Sequence, residues 1–156
     1  MKKMILSIAA AFVFVACHNS GKEDHTGHPS NEPKTQEDSL MAEVMDGHEV
    51  GMSKSKKLED MQAKVKAALD SISKLPAKAQ QQLAPYKIQL DSAASGLSYA
   101  VYAMDKWMEE FNMDSAKDNI EARIKYLTDE KMKVGKVKEA ILNSLATADS
   151  LLRAKL

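Results

Sequence analysis

From Leu90 onward the apolar residues of this chain keep a regular beat: Leu90, Ala94, Leu97, Val101, Met104, Met108 and Phe111 alternate steps of four and three. Such a seam marks a helix packed at a small crossing angle against a neighbour. It predicts a helix over about 78–112, which Pro85 either kinks or starts. A second seam follows at Ile120, Ile124, Leu127, Val134, Ile141, Leu145, Ala148 and Leu152. Lys131 and Lys138 interrupt it, and Val137 beside Lys138 suggests that it drifts. Ser115 and Asp118 have capping-box spacing, so this helix is predicted over about 115–155. Upstream, Met41, Val44, Met45, His48, Met52, Leu58, Met61, Val65, Leu69 and Ile72 predict one helix over about 38–74. Pro76 ends it, because the residue before a proline disfavours helical ψ.

Short connections make consecutive helices antiparallel neighbours. The expected fold is therefore all-α: an elongated, coiled-coil-like, up-down-up three-helix bundle over 38–156. A first helix of that length would extend about 54 Å. The alternative is a helical hairpin whose third helix completes a core only in a homo-oligomer. Composition agrees with helices, since Ala, Leu, Lys, Met, Glu, Asp and Gln dominate beyond Ser39 and aromatics are few.

The N-terminus has a different pattern. Lys2 and Lys3 precede an apolar, uncharged run from Met4 to Ala16 that stops at Cys17. The run is too short to span a bilayer but suits a secretory signal. The single cysteine of the chain sits at the expected cleavage point, after a small residue. This arrangement resembles the lipobox of bacterial lipoproteins, with Phe14 where that pattern usually has Leu. The resemblance implies a signal peptide over 1–16 and a lipid on Cys17. The mature chain then has no further cysteine and no disulfide or thiolate chemistry. Lys22, Glu23 and Asp24 just past the anchor resemble the surface-export signal of Bacteroidota-type lipoproteins. An outer-membrane lipoprotein facing the periplasm or the cell surface is expected.

From Cys17 to about residue 37 polar and breaker residues predominate, so a flexible tether is expected. His18, His25 and His28, three of the four histidines, fall there and would hold a metal only loosely. Over 39–156 the charges nearly cancel, 18 Lys and Arg against 17 Asp and Glu. No basic face stands out, which argues against nucleic-acid binding. The expected partners are the membrane, through Cys17, and an envelope protein or a second copy.

Methionine is the other compositional feature. Met41, Met45, Met52, Met104, Met108 and Met113 fall near the start of the first helix or the end of the second, which the hairpin brings together. Met41, Met45, His48 and Met52 share one helical face. Folding about residues 76–80 sets His48 opposite Met104–Asn112, a window containing Trp107. Gly47 and Gly51 bracket His48, each costing roughly 1 kcal/mol in a helix. They either weaken the helix or admit a close neighbour.

Thioethers with one imidazole select Cu(I) over hard ions. Candidate ligands are Met45, His48, Met52, Met104 and Met108, with Trp107 as a cap offering cation–π contact. Methionine at seam positions is also adaptable core filler, and a Met-rich surface can receive a partner's apolar segment.

Met45-x-x-His48-Glu-x-x-Met52 and Met104-x-x-Trp107-Met108 together resemble a group of small Bacteroidota-type helical lipoproteins often labelled "viral A-type inclusion protein". The likeness runs over most of 41–156, and it implies a helical lipoprotein with no settled activity.

Catalysis is not expected. The folded region has one histidine and no cysteine. No Glu-x-x-His pair of the di-iron kind is present, because Met45 lies three before His48 and Glu43 five before. There is no Gly-rich phosphate loop. The leading expectation is a non-enzymatic, lipid-anchored binding or structural module without a cofactor; the alternative is a Cu(I)-binding or buffering lipoprotein.

Overall fold

A computed structural model describes residues 35–154. The expected signal segment 1–16, Cys17 and most of the expected tether lie outside the described residues. Those described are all-helical, without a strand: α1 Gln36–Met52, α2 Ser55–Ser73, α3 Ala77–Gln82, α4 Ala84–Glu110 and α5 Ile120–Arg153. None of these helices is long and apolar enough to cross a membrane.

The helix starts follow local chemistry. Thr35 caps α1 in a reciprocal box: its hydroxyl accepts from the Asp38 N–H, and Asp38 Oδ2 accepts from the Thr35 N–H, both at 3.1 Å. Glu37 and Asp38 in the first turn also complement the helix dipole. Pro85 marks a start rather than a kink, sitting in the first turn of α4, where its missing N–H has no partner to lose. The last helix begins later than Ser115. Its cap is Asn119, whose side chain accepts from the Ala122 N–H at 3.0 Å. Residues 111–119 instead form a loop in which Ala116 takes a left-handed φ of 57°.

The single helix expected over 38–74 is divided at Ser53–Lys54. There Ser53 Oγ bonds back to the Val50 carbonyl at 2.7 Å. The Lys54 N–H turns to the Gly51 carbonyl, three residues back, at 3.0 Å. The apolar register survives the break. Val44, Gly47 and Gly51 are the buried positions of α1, and Leu58, Met61, Val65 and Ile72 continue the same three-and-four stripe in α2. Met45, His48 and Met52 lie one position off that stripe.

α5 is the shared element: α1 and α4 pack along it, and α2 packs on both α4 and α5. Its buried stripe is Arg123, Leu127, Glu130, Val134, Val137, Ile141, Leu145 and Ala148. The lysine interruptions therefore vanish, since Glu130 and Val137 occupy the seam and Lys131 and Lys138 flank it. On α4 the stripe is Leu90, Ala93, Leu97, Ala100, Met104 and Trp107. Trp107 is thus core, not flank, while Met108 is 37% exposed.

The glycines of α1 permit close approach. A Cβ at Gly47 would stand 2.9 Å from Val134 Cγ1, and one at Gly51 would strike the Met104 ε-methyl and approach Ile141 Cδ1 to 3.2 Å. Met104 is flexible and can yield, but β-branched Val134 is stiff. Gly47→Ala is expected to overpack this contact by ~1–3 kcal/mol, outweighing a helix-propensity gain of about 1 kcal/mol. In a Val134→Ala background the same substitution should become stabilising by about 1 kcal/mol. Urea unfolding of the four variants measures that reversal.

Candidate functional site

Where the end of α1, the end of α4 and the first half of α5 meet, aromatic and thioether side chains gather. Trp107 stacks on Phe111, the step α4 takes into the loop, with centroids 4.9 Å apart and an interplanar angle of 21°. Phe111 in turn lies 6.2 Å from Tyr126 of α5, at 16°. The Tyr126 hydroxyl accepts the Asn112 backbone N–H at 2.7 Å, closing the end of α4. On the α1 side His48 tilts against Trp107, ring centroids 5.6 Å apart.

The indole N–H does not reach solvent. Trp107 Nε1 donates to Glu130 Oε2 at 2.9 Å, a buried hydrogen bond from α4 to α5. Glu130 Oε1 accepts from Lys133 Nζ at 2.8 Å. The Glu130 carboxylate, through this hydrogen bond, holds the Lys133 ammonium above the ordinary lysine pKa, against a smaller opposing effect of desolvation. Two helical turns back along α5, buried Arg123 donates Nε to Glu37 Oε1 at 2.9 Å and Nη1 to the Ser115 carbonyl at 2.8 Å. It ties the first turn of α1 and the 111–119 loop to α5.

The candidate ligands separate into two groups. His48 Nε2 lies 3.3 Å from Met108 Sδ, joining α1 to α4 across sixty residues of sequence. Met104 is buried behind Gly51. Met52 is 40% exposed, and its sulfur accepts from the Ser55 hydroxyl at 4.0 Å. Met45 is half-buried one turn before His48. The five are therefore not gathered about one point; the His48–Met108 pair is. Trp107 forms a wall beside the His48 member of this pair, ring centroids 5.6 Å apart. Among the described residues no three His, Cys, Asp or Glu side chains converge as a metal site.

Sequence reasoning passed over Glu130 and Arg123. The available signal was the unbroken spacing Arg123, Leu127, Glu130, Val134, Val137, which polar residue types disguise.

Compared with protein-family models, with curated proteins and with solved structures, the chain matches none.

Two expectations concern the buried carboxylate. Glu130→Ala leaves the Trp107 N–H buried without its acceptor, at a cost of about 2–3 kcal/mol, measurable by urea unfolding with Trp107 fluorescence. A lysine pKa raised by folding stabilises fully below the unfolded pKa and fades as pH climbs through the folded one. Lys133→Met should therefore destabilise at neutral pH, and its difference from wild type should vanish in strongly alkaline solution. A difference that persists there would assign the effect to packing of the lysine stem.

Proposed function

We propose that the protein is a non-enzymatic, lipid-anchored helical module of the cell envelope, with a binding or scaffolding role. In this reading Cys17 carries the lipid, the segment up to Thr35 is the spacer, and an up-down-up bundle is the working part. α1 with α2 makes the first leg of that bundle, α4 the second and α5 the third. The setting is the outer membrane, on its periplasmic or its cell-surface side, in keeping with the resemblance to small helical lipoproteins.

The observation that carries the proposal is how the buried charges are used. Arg123 and Glu130 are the buried ionisable side chains among the described residues. Arg123 is committed to Glu37 and Ser115, and Glu130 to Trp107 and Lys133. No buried side-chain nitrogen or oxygen is left without a partner among the described residues. Catalytic groups are typically held in a cleft with hydrogen-bonding capacity left for substrate; here that capacity goes to joining α1, α4, α5 and their loop. The remaining salt bridges are largely i,i+3 and i,i+4 pairs on solvent faces, such as Lys66–Asp70 and Lys125–Asp129. These are surface dressing of a helical scaffold.

Metabolic labelling with a fatty acid tests the anchor. The full chain expressed in a diderm bacterium should take up label and sediment with the outer membrane. Cys17→Ser should lose the label while its folded unit keeps the same thermal transition. An unlabelled wild-type chain found free in the periplasm would defeat the proposal.

A further inference from the structure

The His48–Met108 contact is not used in the module reading, and it has a chemistry of its own. We propose that it is a binding site for a soft monovalent cation, Cu(I), with His48 Nε2 and Met108 Sδ as the fixed ligands and Met52 as the recruited third. The inference goes beyond the scaffolding role and stands independently of the lipid anchor.

Four features of the site carry it. First, an imidazole nitrogen and a thioether sulfur from different helices already meet at 3.3 Å. Bonds as long as those zinc makes to imidazole nitrogen and to sulfur, about 2.0–2.3 Å, would bridge that separation with an angle of roughly 100° at the ion. That angle is far from linear, so the pair alone leaves room for a third donor on the open side.

Second, access exists. Met108 is 37% exposed and His48 is half-buried, so an ion can enter without opening the core. Third, the wall is rigid. Trp107 lies 5.6 Å from the His48 ring and is pinned by its hydrogen bond to Glu130. An indole face beside a cation adds attraction and excludes water. Fourth, the donor set is soft. Three His, Cys, Asp or Glu side chains do not converge among the described residues, whereas thioether with imidazole suits Cu(I).

The choice of third ligand follows from placement. Met52 lies four residues after His48, on the neighbouring position of the helix surface. It is 40% exposed, and the hydrogen bond its sulfur accepts from Ser55 is long, at 4.0 Å, so it can turn at little cost. Met104 is core filler behind Gly51, and moving it would open a cavity against Ile141. Binding uses the Nε2 lone pair, so the imidazole proton resides on Nδ1 in the loaded site.

The test uses the full chain in detergent with Cys17→Ser, so that no thiolate competes. Cu(I) is titrated against a chromophoric Cu(I) chelator, and Ag(I) is titrated in parallel while following Trp107, the only tryptophan of the chain. One equivalent should be retained, with quenching of Trp107 emission. His48→Ala and Met108→Leu should each weaken retention about tenfold or more, and Met52→Leu by roughly three- to tenfold. Met45→Leu and Met104→Leu should leave it unchanged within about twofold.

His48 and Met108 are partly exposed, and unchanged helicity of their variants confirms that only the site was altered. A wild-type chain that surrenders all its Cu(I) overturns the proposal. So does a His48→Ala/Met108→Leu double variant that binds as tightly as wild type. Retention abolished by replacing His18, His25 and His28 would move the site to the N-terminal segment and equally overturn it.

Discussion

A carboxylate removed from water must be hydrogen-bonded or it destabilises the fold by several kcal/mol. Glu130 sits in the middle of the α5 stripe, 3% exposed, and meets that demand with one bond to Trp107 Nε1 and one to Lys133. The indole is directional, so this bond fixes the rotation and register of α4 on α5. Sliding α4 by a turn would strand both a buried acceptor and a buried donor, at about 1–3 kcal/mol for each. An apolar pair in the same place would tolerate such a slip far better. Once Trp107 is pinned, Phe111 stacks on it, Tyr126 closes over Phe111, and His48 finds a rigid surface on its own side. The aromatic cluster at this end of the helices is built around that one hydrogen bond.

α1 is held differently from the other long helices. Only one of its side chains larger than glycine, Val44, is buried. Its ion pair from Glu43 to Lys131 joins groups that are each about half exposed, an arrangement worth at most about 1 kcal/mol. The stronger tie is Glu37 to Arg123, whose side chain is only 3% exposed. Beyond both, toward the C-terminal end of α1, Gly47 and Gly51 let the backbone settle against Val134, Met104 and Ile141. Dispersion between close surfaces replaces large side chains there. The helix-weakening cost of two glycines is the cost of that approach, and the approach is what brings His48 within reach of Met108.

Helix content and the pairing of His48 with the end of α4 were legible in the sequence. Leu90, Leu97 and Met104, like Leu127, Val134, Ile141, Leu145 and Ala148, were placed on seams that the structure does bury. The misses share a physical origin. A three-and-four seam has two nearly equivalent phases that share every second position; residue size favours Val101 over Ala100, and the phase that contains Val101 goes on to Met108 rather than Trp107. Packing chose the smaller alanine where helices come close, and chose tryptophan because a buried acceptor awaited its N–H. On α5 the same choice ran through Arg123 and Glu130, residue types that a hydrophobicity pattern reads as solvent-facing. The α1–α2 break was hidden for the opposite reason: the apolar register runs through it unchanged, and what marks the end of the helix is hydrogen bonding, from Ser53 Oγ back to Val50 and from the Lys54 N–H to Gly51.

Met104 and Met108 show why composition cannot decide between packing and binding. They are one helical turn apart, yet Met104 is 4% exposed and fills the hollow left by Gly51, while Met108 is 37% exposed and aims its sulfur at a histidine. The distinction is geometric, and it has an energetic corollary. α1 has the least apolar anchorage of the long helices, whereas α4 is locked to α5. An ion gripped by His48 and Met108 would bridge the weakly held element to the strongly held one. Any ligand that binds only this docked arrangement stabilises it in proportion to the logarithm of its concentration over its dissociation constant, about 2.7 kcal/mol at a hundredfold excess. That is more than the exposed ion pair of α1 supplies. Docking of α1 is therefore the step of this fold on which a ligand at His48 has the greatest leverage.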